Sequence, residues 1–172
     1  MLNDINKAGL MVEIVKEKMT AEMDGEFVVF IIGMRVNKFW KIHKWLPVSK
    51  AMSKMIKELE SNPELGFLGH ESWFGRTSVM IQYWKSINHL LEYAQNKDAV
   101  HTPAWLNFND KIRKSGDVGI WHETYITRKG DYECVYTNMP VFGLGKIGNR
   151  VPARNEYHSA RGRLGLINKK TK

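Results

Sequence analysis

The chain has 172 residues, 43% of them hydrophobic, with six tryptophans and a formal net charge of +8. That length and apolar content exclude a disordered or fibrous chain and are sufficient for one domain with a true core. A single cysteine, Cys134, excludes an intramolecular disulfide framework and a cysteine-cluster metal site, and suits a reducing cytoplasm.

The positive charge is local. Residues 146–172 hold eight lysines and arginines against one acidic residue, Glu156, so the remainder of the chain is nearly neutral. A basic end of this kind reads as a solvated segment or as a cover for the body, and nucleic acid is not the expected partner. No basic, apolar and small-residue succession opens the chain, so no signal peptide is expected. The apolar stretch 27–34 is far shorter than the roughly 20 residues needed to span a bilayer, and a soluble protein without a membrane partner is expected.

Residues 1–25 read as an arm ending at the turn signal Asp24-Gly25. Residues 27–36 are apolar on both faces, as a strand must be when both sides of its sheet are covered. Gly33 within that run marks a bulge or a close approach of another backbone. Pro47 suits a first helical turn. Val48, Ala51, Met52, Met55, Ile56 and Leu59 then form one helical stripe, which Asn62-Pro63 ends.

Strands follow at 66–74 and 77–84, joined at Gly75-Arg76. In the second of them, Val79, Ile81 and Tyr83 are expected to face the helices, and Met80, Gln82 and Trp84 a pocket. Ser86 is a candidate N-cap for a helix over 87–95. Val100, Ala104, Phe108 and Ile112 mark a further helical stretch stopped by Gly116. Residues 117–127 make the next strand and 132–138 another, and the glycines and prolines beyond Pro140 indicate loops. Three parts are therefore expected: an arm over 1–25, a domain over 26–140, and an extended basic segment over 141–172 that packs on the domain or on a dimer partner.

The order strand, helix, strand, strand, helix, strand is that of an α+β, ferredoxin-like split βαβ antiparallel sheet. Helices cover one face of such a sheet, and the other face is left for a second subunit or a ligand.

Trp121-His122-Glu123 is the sharpest local feature. On a strand, His122 and Glu123 point to opposite faces. Either Glu123 faces the cavity with Trp121 and Tyr125, or His122 does with Ile120 and Thr124. The first is preferred, because aromatic walls suit an apolar ligand. A carboxylate there serves as a general acid or base, or pairs with Arg35 on a neighbouring strand. Glu123, His122 and Arg35 are thus the candidate catalytic residues, and Gln82, Trp84, Trp121, Tyr125 and Trp105 the candidate substrate contacts. His101, near the start of a helix, could ligate a haem iron. The remaining histidines show no zinc-like spacing, and no metal site is expected.

Seven segments in order carry a family resemblance: Phe30-Ile-Ile-Gly-Met-Arg-Val-Asn37, Trp45-Leu-Pro-Val48, Gly66-Phe-Leu-Gly69, Gln82-Tyr-Trp-Lys-Ser86, His101-Thr-Pro-Ala-Trp105, Gly119-Ile-Trp-His-Glu-Thr-Tyr125 and Asn138-Met-Pro140. Together they resemble the monooxygenase-like family related to the fumagillin-pathway terpenoid oxygenase, over about residues 20–165. The resemblance implies the dimeric α/β-barrel arrangement, a homodimer packed sheet to sheet with a pocket between helices and sheet in each subunit. It implies a small oxygenase acting on a terpenoid or aromatic molecule, with no cofactor or with haem. The alternatives are a haem enzyme of the aldoxime dehydratase or haem-degrading type, using His101, and a non-enzymatic ligand-binding or stress protein.

Overall fold

The computed structural model describes residues 12–97 and 113–166. In chain order the strands are β1 (Met19–Glu22), β2 (Glu26–Val36), β3 (Phe67–Trp73), β4 (Val79–Trp84), β5 (Val118–Arg128) and β6 (Asn149–Pro152). The two longer helices are α1 (Ile42–Ser61) and α2 (Ile87–Gln95). The chain divides into two compact units, one over 27–126 and one joining the residues up to 26 with those from 127 onward. Residues 127–140 belong to the second of these units, where Cys134 and Tyr132 meet Thr20, Ala21 and Met23 and Glu133 meets Arg163.

In the first unit the sheet order is β3-β4-β2-β5, with β4 antiparallel to both β2 and β3. This is the α+β, ferredoxin-like order, with the first and third strands of the motif central. Directly paired residues share a face, so the register sorts the sheet into rows. Ser72, Met80 and Ile32 form one row, His70, Gln82 and Phe30 the next, and Trp84 with Val28 another.

These rows face the helices. Val28, Met80 and Trp84 pack with Met55, Ile56 and Leu59 of α1 and with Leu90 and Tyr93 of α2. The helix-facing set of β4 is therefore Met80, Gln82 and Trp84, not Val79, Ile81 and Tyr83. Both sets are largely apolar, so alternation alone could not choose between them.

α1 buries the expected stripe, but it begins at Ile42, which puts Pro47 in its second turn. The proline removes one intrahelical N–H bond there, and packing of Trp45 and Val48 against Val118 accompanies the early start. Ser86 caps α2 as expected, its hydroxyl accepting from the His89 N–H. The expected helical stretch over 100–112 lies outside the described residues.

Asp117, fully buried ahead of β5, holds the ends of two elements together. Lys41 Nζ approaches one carboxylate oxygen at 2.7 Å and Lys38 Nζ the other at 3.0 Å. Its carbonyl accepts from the backbone N–H groups of Asn37 and Lys38. Lys41 and then Lys38 hold the carboxyl well below the ordinary carboxylate range.

The second unit is built differently. β1 pairs with β6 antiparallel, from Met19 opposite Pro152 to Glu22 opposite Asn149. The strand expected over 132–138 does not form. Two isolated bridges stand there instead, Met19 with Tyr136 and Val15 with Met139. Side chains take over the backbone pairing: Thr20 Oγ1 donates to the Cys134 carbonyl, and Cys134 Sγ accepts from the Ala21 N–H. Part of the C-terminal positive charge is neutralised within this unit, Arg154 on Glu17 and Arg163 on Glu133. No described helix is long and apolar enough to cross a membrane.

Candidate functional site

Strand β5 forms one border of the sheet and presents its two faces to different surroundings. Val118 and Ile120 pack with Met34, Trp45 and Val48, so this parity of the strand faces α1. His122 and Thr124 continue it. Together with β2, α1 and α2 they wall a cavity of about 400 Å³. Its floor is Phe30, Ile32 and Met34, and its roof includes Met52 and Met55 of α1 and Leu90, Leu91 and Ala94 of α2. His122 and Thr124 are exposed and so stand at its mouth. The His122 ring lies 5.6 Å from that of Phe30, tilted by 43°. Among the described lining side chains His122 is the only titratable one.

The expectation that Glu123, Trp121 and Tyr125 line the cavity is corrected by this geometry. Trp121 packs on the other face, where a Cβ on Gly33 would stand 2.6 Å from its indole nitrogen. The close approach expected at Gly33 is therefore made by Trp121 together with the Ser78 carbonyl. Glu123 is exposed and accepts a 2.5 Å hydrogen bond from the Tyr125 hydroxyl. That carboxylate raises the Tyr125 hydroxyl above its ordinary range. The pairing weighed between Glu123 and Arg35 is not formed. Arg35 Nη1 donates instead to Thr77 Oγ1 at 2.8 Å, and the side chain is exposed.

Gln82 and Trp84 are on the helix-facing side but are sealed beneath the helices, each about 1% exposed. The Trp84 indole donates to Gln82 Oε1 at 3.0 Å, and Gln82 Nε2 reaches Met80 Sδ at 3.3 Å. This closed set satisfies a buried amide, and neither residue lines the cavity. His101 and Trp105 lie outside the described residues.

Haem needs an iron ligand and partners for two propionate carboxylates. The described walls supply one imidazole, that of His122, and no lysine or arginine, while His101, the expected iron ligand, is not among the described residues. No group of three or more His, Cys, Asp or Glu among the described residues could hold a metal ion. The arrangement instead offers an apolar chamber with an imidazole and a hydroxyl on one wall, which can bind an uncharged molecule and exchange a proton with it.

The contribution of the α1 stripe was not foreseen from sequence. Val48, Ala51, Met52 and Met55 line the cavity as well as the core, and a core stripe and a pocket wall carry the same pattern.

The chain is 25% identical over 179 residues to monooxygenase af470 of Aspergillus fumigatus, covering 88% of this chain and 63% of that protein. It thus spans less than two thirds of the curated relative's length. Among solved structures, the aldoxime dehydratase OxdRE in complex with butyraldoxime superposes with a TM-score of 0.63 at 13% identity, over 80% of this chain and 44% of that one. The cofactor-independent oxygenase SnoaB from Streptomyces nogalater superposes with a TM-score of 0.40 at 15% identity, over 60% of this chain and 94% of that one. The profile of the Monooxygenase af470-like family matches residues 27–144, and the chain belongs to that family.

Proposed function

We propose that this protein is a small oxygenase acting on an apolar terpenoid or aromatic molecule held between its helices and its sheet. The observation that carries the reading is the cavity of about 400 Å³, apolar on floor and roof, with His122 and Thr124 side by side at its mouth. In this reading His122 is the general base, and Thr124 orients the substrate by a hydrogen bond. An imidazole is suited to take a proton near neutral pH.

A substrate that delocalises the resulting charge becomes, as a carbanion, the reductant of dioxygen. A substrate methylene is then oxidised to a carbonyl, and the second oxygen atom leaves as water. Family membership supports this reaction class, and the absence of charged side chains from the described lining supports an uncharged substrate. The reading includes a homodimer, in which a second copy packs on the sheet face of Val29, Ile31 and Ile81, apolar residues only partly buried within the chain.

Oxygen uptake by the purified protein, surveyed with polycyclic phenols that carry a benzylic methylene and with terpenoid enones, tests the proposal. Substrate-dependent uptake that is lost in His122→Gln and kept in Glu123→Gln is expected. Tight binding of these compounds without uptake would instead mark a ligand-binding protein.

A further inference from the structure

A second cavity, of about 210 Å³, adjoins the first on the same face of the sheet. Ile32, Gly33, Met34, Val48 and Met52 line both, so β2 and α1 supply a common wall. The two differ at their far ends. The first ends at β5 and α2, with His122 as its titratable group. The second ends at β3 and the β3–β4 hairpin, where Ser72, Trp73, Phe74 and Met80 line it. Phe74 and Phe39, both exposed, rim that end, and the Arg76 guanidinium lies over the Phe39 ring at 5.7 Å.

Ser72 stands out in this second chamber. It is paired with Met80 in the register, so its side chain points towards the helices with Met80. Its hydroxyl oxygen is shielded from solvent and has no hydrogen-bond partner. A buried hydroxyl without a partner is destabilising, and such groups are rare unless a ligand or water satisfies them. Two other hydroxyls of the lining are engaged within the protein: Ser53 donates to the Ser49 carbonyl and Ser78 to the Met34 carbonyl.

We propose that the two chambers form one binding site for an elongated, uncharged and mostly apolar molecule that carries an oxygen acceptor at one end, a ketone, aldehyde or ester. Ser72 donates to that oxygen, the shared wall holds the chain, and the opposite end of the molecule reaches His122. Met52, flexible and unbranched, sits on the shared wall and adapts to the chain that passes it. The assignment of the reacting end rests on the oxygenase reading. The assignment of the acceptor end to Ser72 does not.

Binding of 2-nonanone and of n-nonane, compared by titration calorimetry on the purified protein, tests the proposal without turnover. The ketone should bind the wild type about threefold to tenfold more tightly than the alkane, the scale of one net hydrogen bond. Ser72→Ala should abolish that advantage while leaving alkane affinity unchanged. Ser53→Ala, which touches the same chamber through a hydroxyl already bonded within α1, should preserve it. The ligand-free melting temperature of Ser72→Ala should be equal to or above that of the wild type, because a hydroxyl without a partner is removed.

A ketone advantage that survives in Ser72→Ala, or a marked fall in the melting temperature of that variant, would overturn the assignment. An unchanged ketone advantage in His122→Gln, together with unchanged oxygen uptake, would refute the oxygenase role of His122 and leave the Ser72 site standing.

Discussion

The two units of the chain are stabilised by different forces. In residues 27–126 the register rows of the sheet meet apolar stripes of α1 and α2, and Val28, Leu59 and Trp84 are almost wholly buried. Area removed from water dominates there, at roughly 25 cal/mol per Å². In the other unit a four-residue strand pair is surrounded by directed polar contacts. Glu22 accepts from Lys129 and Tyr157, the Tyr132 hydroxyl accepts from the Met23 N–H, and Arg163 bridges Glu133 and two backbone carbonyls. Apolar burial leaves a periodic trace in the sequence. Directed polar contacts between distant residues do not.

The largest effect should come from the apolar unit. Trp84→Ala removes a side chain that packs on Tyr93 and Phe67 and strips Gln82 of its indole donor. A loss of about 3–5 kcal/mol is expected in denaturant unfolding. A loss below about 1 kcal/mol would contradict the placement of Trp84 in the core.

The two faces of β5 provide a comparison within one strand. His122→Gln should lower turnover about 10²-fold, the scale of a lost general base, while Glu123→Gln should leave it within about twofold. Steady-state oxygen uptake reads this, and the reverse pattern would assign the chemistry to the outer face.

Asp117 marks the polar exception inside the apolar unit. Its folded-state pKa is depressed by Lys41 and Lys38, so its contribution to stability is present above the unfolded value of about 4 and is lost as pH falls through that value towards the folded one. The melting temperature of Asp117→Asn should therefore lie well below that of the wild type at pH 7, and the gap should narrow steadily below about pH 4. A gap independent of pH would show that shape, not charge, is what Asp117 provides.

Effects in the polar unit should be smaller and graded by burial. The Arg163 side chain is 7% exposed and engaged by a carboxylate and two carbonyls, so Arg163→Gln should cost about 1–3 kcal/mol. Arg128, 72% exposed against Glu26, should cost about 1 kcal/mol or less as Arg128→Gln, and less again at high salt. If the two arginines cost the same, burial is not what separates them.

How much of this was legible follows the same line. The strand over 27–36, the α1 stripe and the Ser86 cap are local patterns of period two, period 3.6 and cap chemistry, and each is found where the sequence places it. Where a strand was expected over 132–138, the Thr20 hydroxyl serves the Cys134 carbonyl and the Cys134 sulfur accepts from the Ala21 N–H, contacts between residues far apart in the chain. No window on the sequence contains that contact.

By itself, the sequence determined the order of the described elements from β2 to β5, the α+β sheet, the family and the rule that His122 and Glu123 must part company across β5. Which of the two meets the cavity was decided only by the tertiary structure. Alternation specifies opposite faces but not which face the helices cover, and that depends on Val118 and Ile120 packing beneath Trp45 and Val48. The same packing selected Met80, Gln82 and Trp84 for the helix side of β4. It also left Ser72 facing a chamber with no partner of its own.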